Sequence, residues 1–348
     1  VHTYPERSAT HIVKKISVII GLLVLGLAGL LGYTFFRNQQ GSQRVMVVKD
    51  LSAVVPGLGL RTLHERGYTG KGVNVAIIDG SLLADHEEYG DRLVHFEKIG
   101  DVNDTDLYHG TTVASVFVGS RCGVVPEASL HFFATNLADE ENVLEALERL
   151  LLYNETLEPS HRIRIVSIST GLRQYEAAFH SLIRQANDQG IIVFTSTMPT
   201  VTNPPFALRE AAHDSQKDMD SLDNIVIGEW MDEFLSKNGM TRGELAATRK
   251  GGDLEKGYIT LYLPCARRYV ASHTIKDGYV YEYDGGLSWA TPFLAGLAAM
   301  ALQVNPELTN DELLLLLRDS IVTNKHGLEV VDPQLLIRLA SGAISPGP

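Results

Sequence analysis

The chain has 348 residues, of which 45% are hydrophobic and 21% charged, a length for one large domain or two and a balance that permits a sizeable core. Its formal net charge of -12 argues against a polyanionic partner, so nucleic acid is not expected. Cys122 and Cys265 are the only cysteines, which excludes a disulfide-stapled fold and an all-cysteine metal site. One disulfide and two buried free thiols both remain open, with the thiols favoured.

Residues 1–15 form a short polar tail. Ile16 to Phe36 carry no charge and, as a helix, would cross a hydrocarbon layer of ~30 Å. Lys14 and Lys15 precede this run and Arg37 follows it, while Tyr33, Phe35 and Phe36 fit an aromatic belt. The run is longer than a usual signal core and lacks a clear A-x-A site, which favours a retained anchor over a cleaved signal. Basic residues before it (Arg7, Lys14, Lys15) outnumber those after it (Arg37, Arg44). That bias places the short N-terminus inside and the large C-terminal part outside, as in a single-pass membrane protein with an extracytoplasmic domain. Residues 37–50 read as a polar tether, and 51–348 as one folded domain.

Within that domain, short apolar runs of the kind buried parallel strands need occur at 73–78, 128–133, 163–168, 191–194, 224–227 and 258–262. Helical patterns alternate with them. Asp139 to Tyr153 puts Val143, Leu147, Leu150 and Leu151 on one face. Gln174 to Asp188 aligns Ala178, Leu182 and Ala186 and stops near Gly190. Thr309 and Glu312 form a capping box, and Asp332-Pro333 is an N-cap followed by proline. The charged stretch 229–257 reads as an exposed insertion. Alternating strands and helices predict an α/β fold: a mostly parallel sheet covered by helices on both faces.

Three segments could carry chemistry. Asp79 ends the first apolar run, at the sheet edge where catalytic groups of open α/β folds gather; alone it reads equally as a turn or N-cap aspartate. His109 begins His109-Gly-Thr-Thr-Val-Ala-Ser115, at the start of a helix whose dipole lowers an imidazole pKa; alone it is one of 12 histidines. Gly110 beside it suits a close backbone approach. Ser288 lies where Gly285-Gly286 leads into an apolar helix, its own N–H free to face an oxyanion; alone it is an ordinary N-cap. Together they supply a carboxylate, an imidazole and an alcohol, in one of the chain orders seen for serine hydrolases.

On these residues the chain resembles the subtilisin-like serine proteases, over roughly residues 55–340. Gly70-Lys-Gly-Val-Asn-Val-Ala-Ile-Ile-Asp79 resembles the family's acid block, and His86 falls where many members carry a non-catalytic histidine. The stretches beginning at His109 and Gly286 (Gly286-Leu-Ser-Trp-Ala-Thr-Pro292) resemble the histidine and serine blocks. The resemblance implies a three-layer subtilisin-like fold that hydrolyses peptide bonds through an acyl-enzyme. Asp79 would orient His109, His109 would act as base and then acid, and Ser288 would be the nucleophile. Ser169, Thr170 and Gly171 resemble the segment that pairs with substrate backbone as an added strand.

The sequence departs from the family at four places. Leu287 and Trp289 flank the serine where threonine and methionine are usual. Gly80-Ser81 reverses the usual order after the acid. No asparagine stands in Ile191 to Pro199, where the oxyanion donor is expected; Asn203 is the substitute candidate. Residues 37–54 are too short for the family's pro-segment, so autoprocessing is not implied. No cofactor is required. Calcium is a family habit, and Asp101, Asp104 and Asp106 offer oxygens, but without a specific motif a solvated acidic loop is the favoured reading.

The leading expectation is therefore a membrane-anchored serine endopeptidase with a polypeptide substrate. The alternatives are a non-cleaving pseudoprotease that binds peptides, and a hydrolase of esters or amides.

Overall fold

The computed structural model describes residues 51–171, 175–196, 205–214 and 218–343. The expected anchor and tether, and Asn203, lie outside the described residues.

In chain order the elements are α1 (Leu60–Glu65), β1 (Asn74–Asp79), β2 (Leu93–Lys98), α2 (Tyr108–Val118), β3 (Ser129–Ala134), α3 (Glu140–Thr156), β4 (Ile163–Ile168), α4 (Glu176–Asp188), β5 (Ile192–Thr195), β6 (Phe206–His213), β7 (Ile225–Val226), α5 (Asp232–Asn238), α6 (Arg242–Glu255), β8 (Ile259–Ala266), β9 (Arg268–Ala271), β10 (Tyr279–Glu282), α7 (Leu287–Val304), α8 (Asn310–Asp319), β11 (Ile321–Thr323), β12 (Glu329–Val331) and α9 (Pro333–Ala340).

The main sheet has the order β2-β3-β1-β4-β5, and every pair in it is parallel. β1 lies at its centre and is buried at all positions, which is why its sequence is apolar without alternation. Its odd and even residues serve different cores. Val75 and Ile77 join the cluster that includes Val113 and Phe117 of α2 and Phe293 and Leu297 of α7. Ala76 and Ile78 join the cluster built with Val143, Leu147 and Leu150 of α3 and Phe179 of α4. The result is the expected α/β architecture, a mostly parallel sheet flanked by helices. A second sheet, β7-β6-β8, has β6 and β8 parallel, and β9–β10 and β11–β12 form antiparallel pairs.

Local chemistry sets the helix boundaries. Thr309 and Glu312 form the expected capping box, and the Asp332 side chain accepts from the N–H groups of Gln334 and Leu335. α7 is the one described helix long and apolar enough to cross a membrane, but 78% of that window is buried, so it is the central core helix. Its small residues permit close packing: a Cβ on Gly296 would stand 2.5 Å from the Val124 side chain.

The structure corrects several expectations. The run at 224–227 supplies only the two-residue β7, antiparallel to β6, because Leu222–Asn224 coil into a 3-10 turn just before it. Residues 229–257 are mostly exposed, as expected, but they are regular structure that also contributes to the core. They form α5 and α6, α6 opened by a Thr241–Glu244 capping box, and they bury Leu235, Leu245 and Ala246. On α4 the inward residue is Phe179, not Ala178, which is exposed. Both cysteines are free and buried: Cys265 Sγ donates to the Ala211 carbonyl at 3.3 Å, and Arg268 donates to the Cys122 carbonyl at 2.7 Å.

Candidate active site

The site forms at the C-terminal edge of the main sheet, where β1 and β4 end beside the N-termini of α2 and α7. Asp79 is the last residue of β1 and fully buried. Its Oδ1 lies 2.5 Å from His109 Nδ1 and also accepts the Gly80 N–H at 2.8 Å. The reversed Gly80-Ser81 order has a visible effect. Ser81 Oγ turns to Asp104 at 3.4 Å, and Asp79 Oδ2 has no partner among the described residues.

His109 is the second residue of α2, its side chain 19% exposed. Close approach of this helix depends on Gly110, whose Cβ would stand 2.3 Å from the Gly80 carbonyl oxygen. The expectation that the helix dipole lowers the His109 pKa is overturned. Burial does disfavour the charged ring, but the Asp79 charge and hydrogen bond, aided by Asp106, outweigh it and hold the pKa above the ordinary 6.5.

Ser288, the second residue of α7, is half-buried. Its Oγ donates to the Ser169 carbonyl at 3.3 Å, and the Ser169 hydroxyl donates back to the Ser288 carbonyl at 2.9 Å. The structure thus brings Asp79 and His109 together, and Ser169 and Ser288 together. It shows no hydrogen bond between Ser288 and His109. Thr170 and Gly171 follow Ser169 with intermediate exposure.

Trp289 explains part of this arrangement. The indole is 5% exposed, with its ring centre 5.0 Å from that of His109, and it also meets Tyr108 edge-on at 6.0 Å. Among the described residues its Nε1 has no hydrogen-bond partner. An electron-rich face beside His109 favours the imidazolium, reinforcing the effect of Asp79.

Sequence reading missed a supporting acid. Glu282 ends β10, buried, and accepts the Tyr108 hydroxyl at 2.8 Å. Burial pushes its carboxyl from 4.5 up to about 7, against the Tyr108 hydrogen bond and with some help from Asp284. A carboxyl with a raised folded pKa stabilises the fold fully below its unfolded pKa near 4.5, and that contribution is lost as pH rises through about 7. Glu282→Gln, which keeps an acceptor for Tyr108, should therefore stabilise the protein at pH 8 by up to about 3 kcal/mol and do nothing at pH 4. Thermal unfolding at the two pH values measures this; equal shifts at both would refute it.

Among the described residues, no group of three or more His, Cys, Asp or Glu side chains is placed to hold a metal ion. Asp101, Asp104 and Asp106 are exposed, and Asp104 pairs with Lys98 at 2.7 Å.

The sequence profile of the subtilase family matches residues 70–198, which include Asp79 and His109. Over these residues the chain is similar to the subtilase family. It is 28% identical over 286 aligned residues to the serine protease AprX of Bacillus subtilis (strain 168), covering 72% of this chain and 61% of that protein. It is 24% identical over 301 residues to the subtilisin-like protease PopC of Myxococcus xanthus (strain DK1622), covering 76% and 58%. The chain thus spans about three fifths of the length of these curated relatives. A solved chain of the subtilase cytotoxin SubAB assembly superposes with a TM-score of 0.58 at 16% identity, over 83% of this chain and 96% of that one. This last likeness concerns the fold alone.

Proposed function

We propose that this protein is a subtilisin-like serine endopeptidase that cleaves polypeptides through an acyl-enzyme on Ser288. The observation that carries the reading is the 2.5 Å contact between the buried Asp79 carboxylate and His109 Nδ1. It fixes the proton on Nδ1 and leaves Nε2 as the base. For reaction, Ser288 Oγ exchanges its hydrogen bond to Ser169 for one to Nε2. It then attacks the scissile carbonyl as its proton passes to His109, which returns that proton to the leaving amine. Water repeats the sequence to release the acid product. The segment 169–171 is the edge along which the peptide backbone would pair. The raised His109 pKa shifts the acidic limb of the rate upward from the ordinary 6.5, since only the neutral ring accepts the serine proton. The uncharged run at 16–36 supports tethering of the domain to a membrane, outside the cytoplasm.

The folded protein should react with a fluorophosphonate, and peptide mass mapping should place the adduct on Ser288, with none on Ser288→Ala. A folded wild type that stays unlabelled across pH 6–9 would remove the enzymatic reading.

One observation favours a second reading. Ser288 is bonded to Ser169 while Trp289 lies against His109, as in a groove that binds peptide without cleaving it. That reading predicts peptide binding equal in wild type and Ser288→Ala, and no adduct in either.

A further inference from the structure

A carboxylate stands where the serine's helix begins. Glu210, on β6, accepts the Leu287 N–H with Oε1 at 3.2 Å, one residue before Ser288. Among the described residues, its chain neighbours apart, a Cβ built on Gly286 would lie within 4 Å of Glu210 Oε1 at 3.9 Å and the Ser288 nitrogen at 4.0 Å. Glu210 and the Ser288 N–H therefore border the same open space above Gly286, and no acceptor for that N–H is present among the described residues. It is the N–H that would receive the oxyanion of an acyl-transfer intermediate. An ionised carboxylate there would repel that oxyanion, whereas a neutral carboxyl carries a proton it can share.

We propose that neutral Glu210 is the second oxyanion donor of this enzyme, its carbonyl oxygen held by Leu287 N–H and its hydroxyl turned to the intermediate. The proposal rests on the acyl-enzyme reading and assigns the role usually filled by an asparagine amide. As Ser288 Oγ bonds to the scissile carbon, the carbonyl π pair moves onto oxygen. The resulting charge is shared by Ser288 N–H and Glu210 O–H, and no proton leaves Glu210. Collapse of the intermediate returns the pair to the C=O bond and expels the amine, protonated by His109. A buried neutral acid donating to an oxyanion is an established device of other enzymes.

The surroundings favour the neutral acid. Burial raises the Glu210 pKa above 4.5, against the opposing effects of the Leu287 N–H and of the Arg249 guanidinium on α6. From β8, the Cys265 thiol faces it uncharged, its own pKa raised well above 9.0 by burial. The reaction then needs His109 free of its proton and Glu210 holding one. The wild-type rate should be bell-shaped in pH, with its alkaline limb belonging to Glu210.

The test is the second-order rate of fluorophosphonate labelling from pH 5 to 10 in wild type, Glu210→Gln and Glu210→Ala, each shown to unfold cooperatively. Wild type should lose about tenfold per pH unit on its alkaline limb until roughly 10²–10³ of rate is gone. Glu210→Gln, a neutral donor at every pH that still accepts from Leu287, should lose that limb and reach a plateau. Glu210→Ala should fall roughly 10²-fold at the wild-type optimum. A Glu210→Gln profile that keeps the wild-type alkaline limb would overturn the assignment, because a residue that merely caps the helix would leave the profile unmoved. Glu210→Ala within about threefold of wild type would overturn it too. In either case continued labelling at Ser288 leaves the acyl-enzyme reading standing, whereas a wild type that never labels removes both.

Discussion

Replacement of Asp79 by asparagine should lower the labelling rate of Ser288, and any peptidase turnover, by about 10⁴-fold while leaving substrate affinity nearly unchanged. The side chain is fully buried at the end of β1, so its environment cannot supply water in its place. Its Oδ1 accepts hydrogen bonds from His109 Nδ1–H at 2.5 Å and from the Gly80 N–H at 2.8 Å. An amide fits the same space but presents either its NH₂ to Nδ1, forcing the proton onto Nε2, or a neutral oxygen that no longer balances an imidazolium. Both outcomes disable the base. The variant should also lose the upward displacement of the His109 pKa, since the Asp79 charge and hydrogen bond are what overcome burial there. The acidic limb of its residual rate should therefore move to lower pH. A loss under tenfold, or an unmoved limb, would show that the contact is structural.

Gly110→Ala should also be damaging, by a steric route. The added methyl would stand 2.3 Å from the Gly80 carbonyl oxygen and 2.6 Å from that of Ser81, both backbone atoms that cannot rotate away. Overpacking against side chains costs about 1–3 kcal/mol, and a backbone obstacle belongs at or above the upper end. The relief available is for α2 to back away from the end of β1, carrying His109 with it. A displacement of ~1 Å is enough to cost about 10² in rate. Thermal unfolding and labelling, measured together, should both fall. A variant with unchanged melting temperature and rate would mean that the helix packs less closely than the structure shows.

What the sequence disclosed follows from what each residue has to satisfy. β1, β3 and β4 are legible because burial on both faces demands uninterrupted apolar side chains. β2 was missed because it is an edge strand with intermediate and exposed positions, and its Leu-Val-His-Phe-Glu-Lys carries no clean period. β6 was missed because Arg209 and Glu210 interrupt its apolar run. Arg209 is balanced by Asp253 at 2.6 Å and Glu210 by the Leu287 N–H, partners 44 and 77 residues away. Charges likewise made the stretch that holds α5 and α6 read as an exposed insertion. At the site, the Asp79–His109 pair that the structure joins could be picked out because each residue stands in a short local motif, whereas Ser288 rests on its motif alone. The support around them was not legible. The Tyr108–Glu282 bond joins residues 174 apart, and nothing local to either announces it. Trp289 was visible as an unusually large neighbour of the serine, but only the packing of α7 against α2 shows that it meets His109.

The distribution of the reacting groups along the chain bears on how the protein is made. Asp79 and His109 lie 30 residues apart and meet between β1 and α2, while Ser288 and its partner Ser169 are separated by 119. Translation proceeds from the N-terminus, and early segments begin to organise before late ones exist. A ribosome that has synthesised β1 and α2 has still to add α7, so the nascent chain holds a carboxylate and an imidazole with no alcohol to ionise. The proposed nucleophile is the last part installed, so a product truncated before α7 has no Ser288 to acylate.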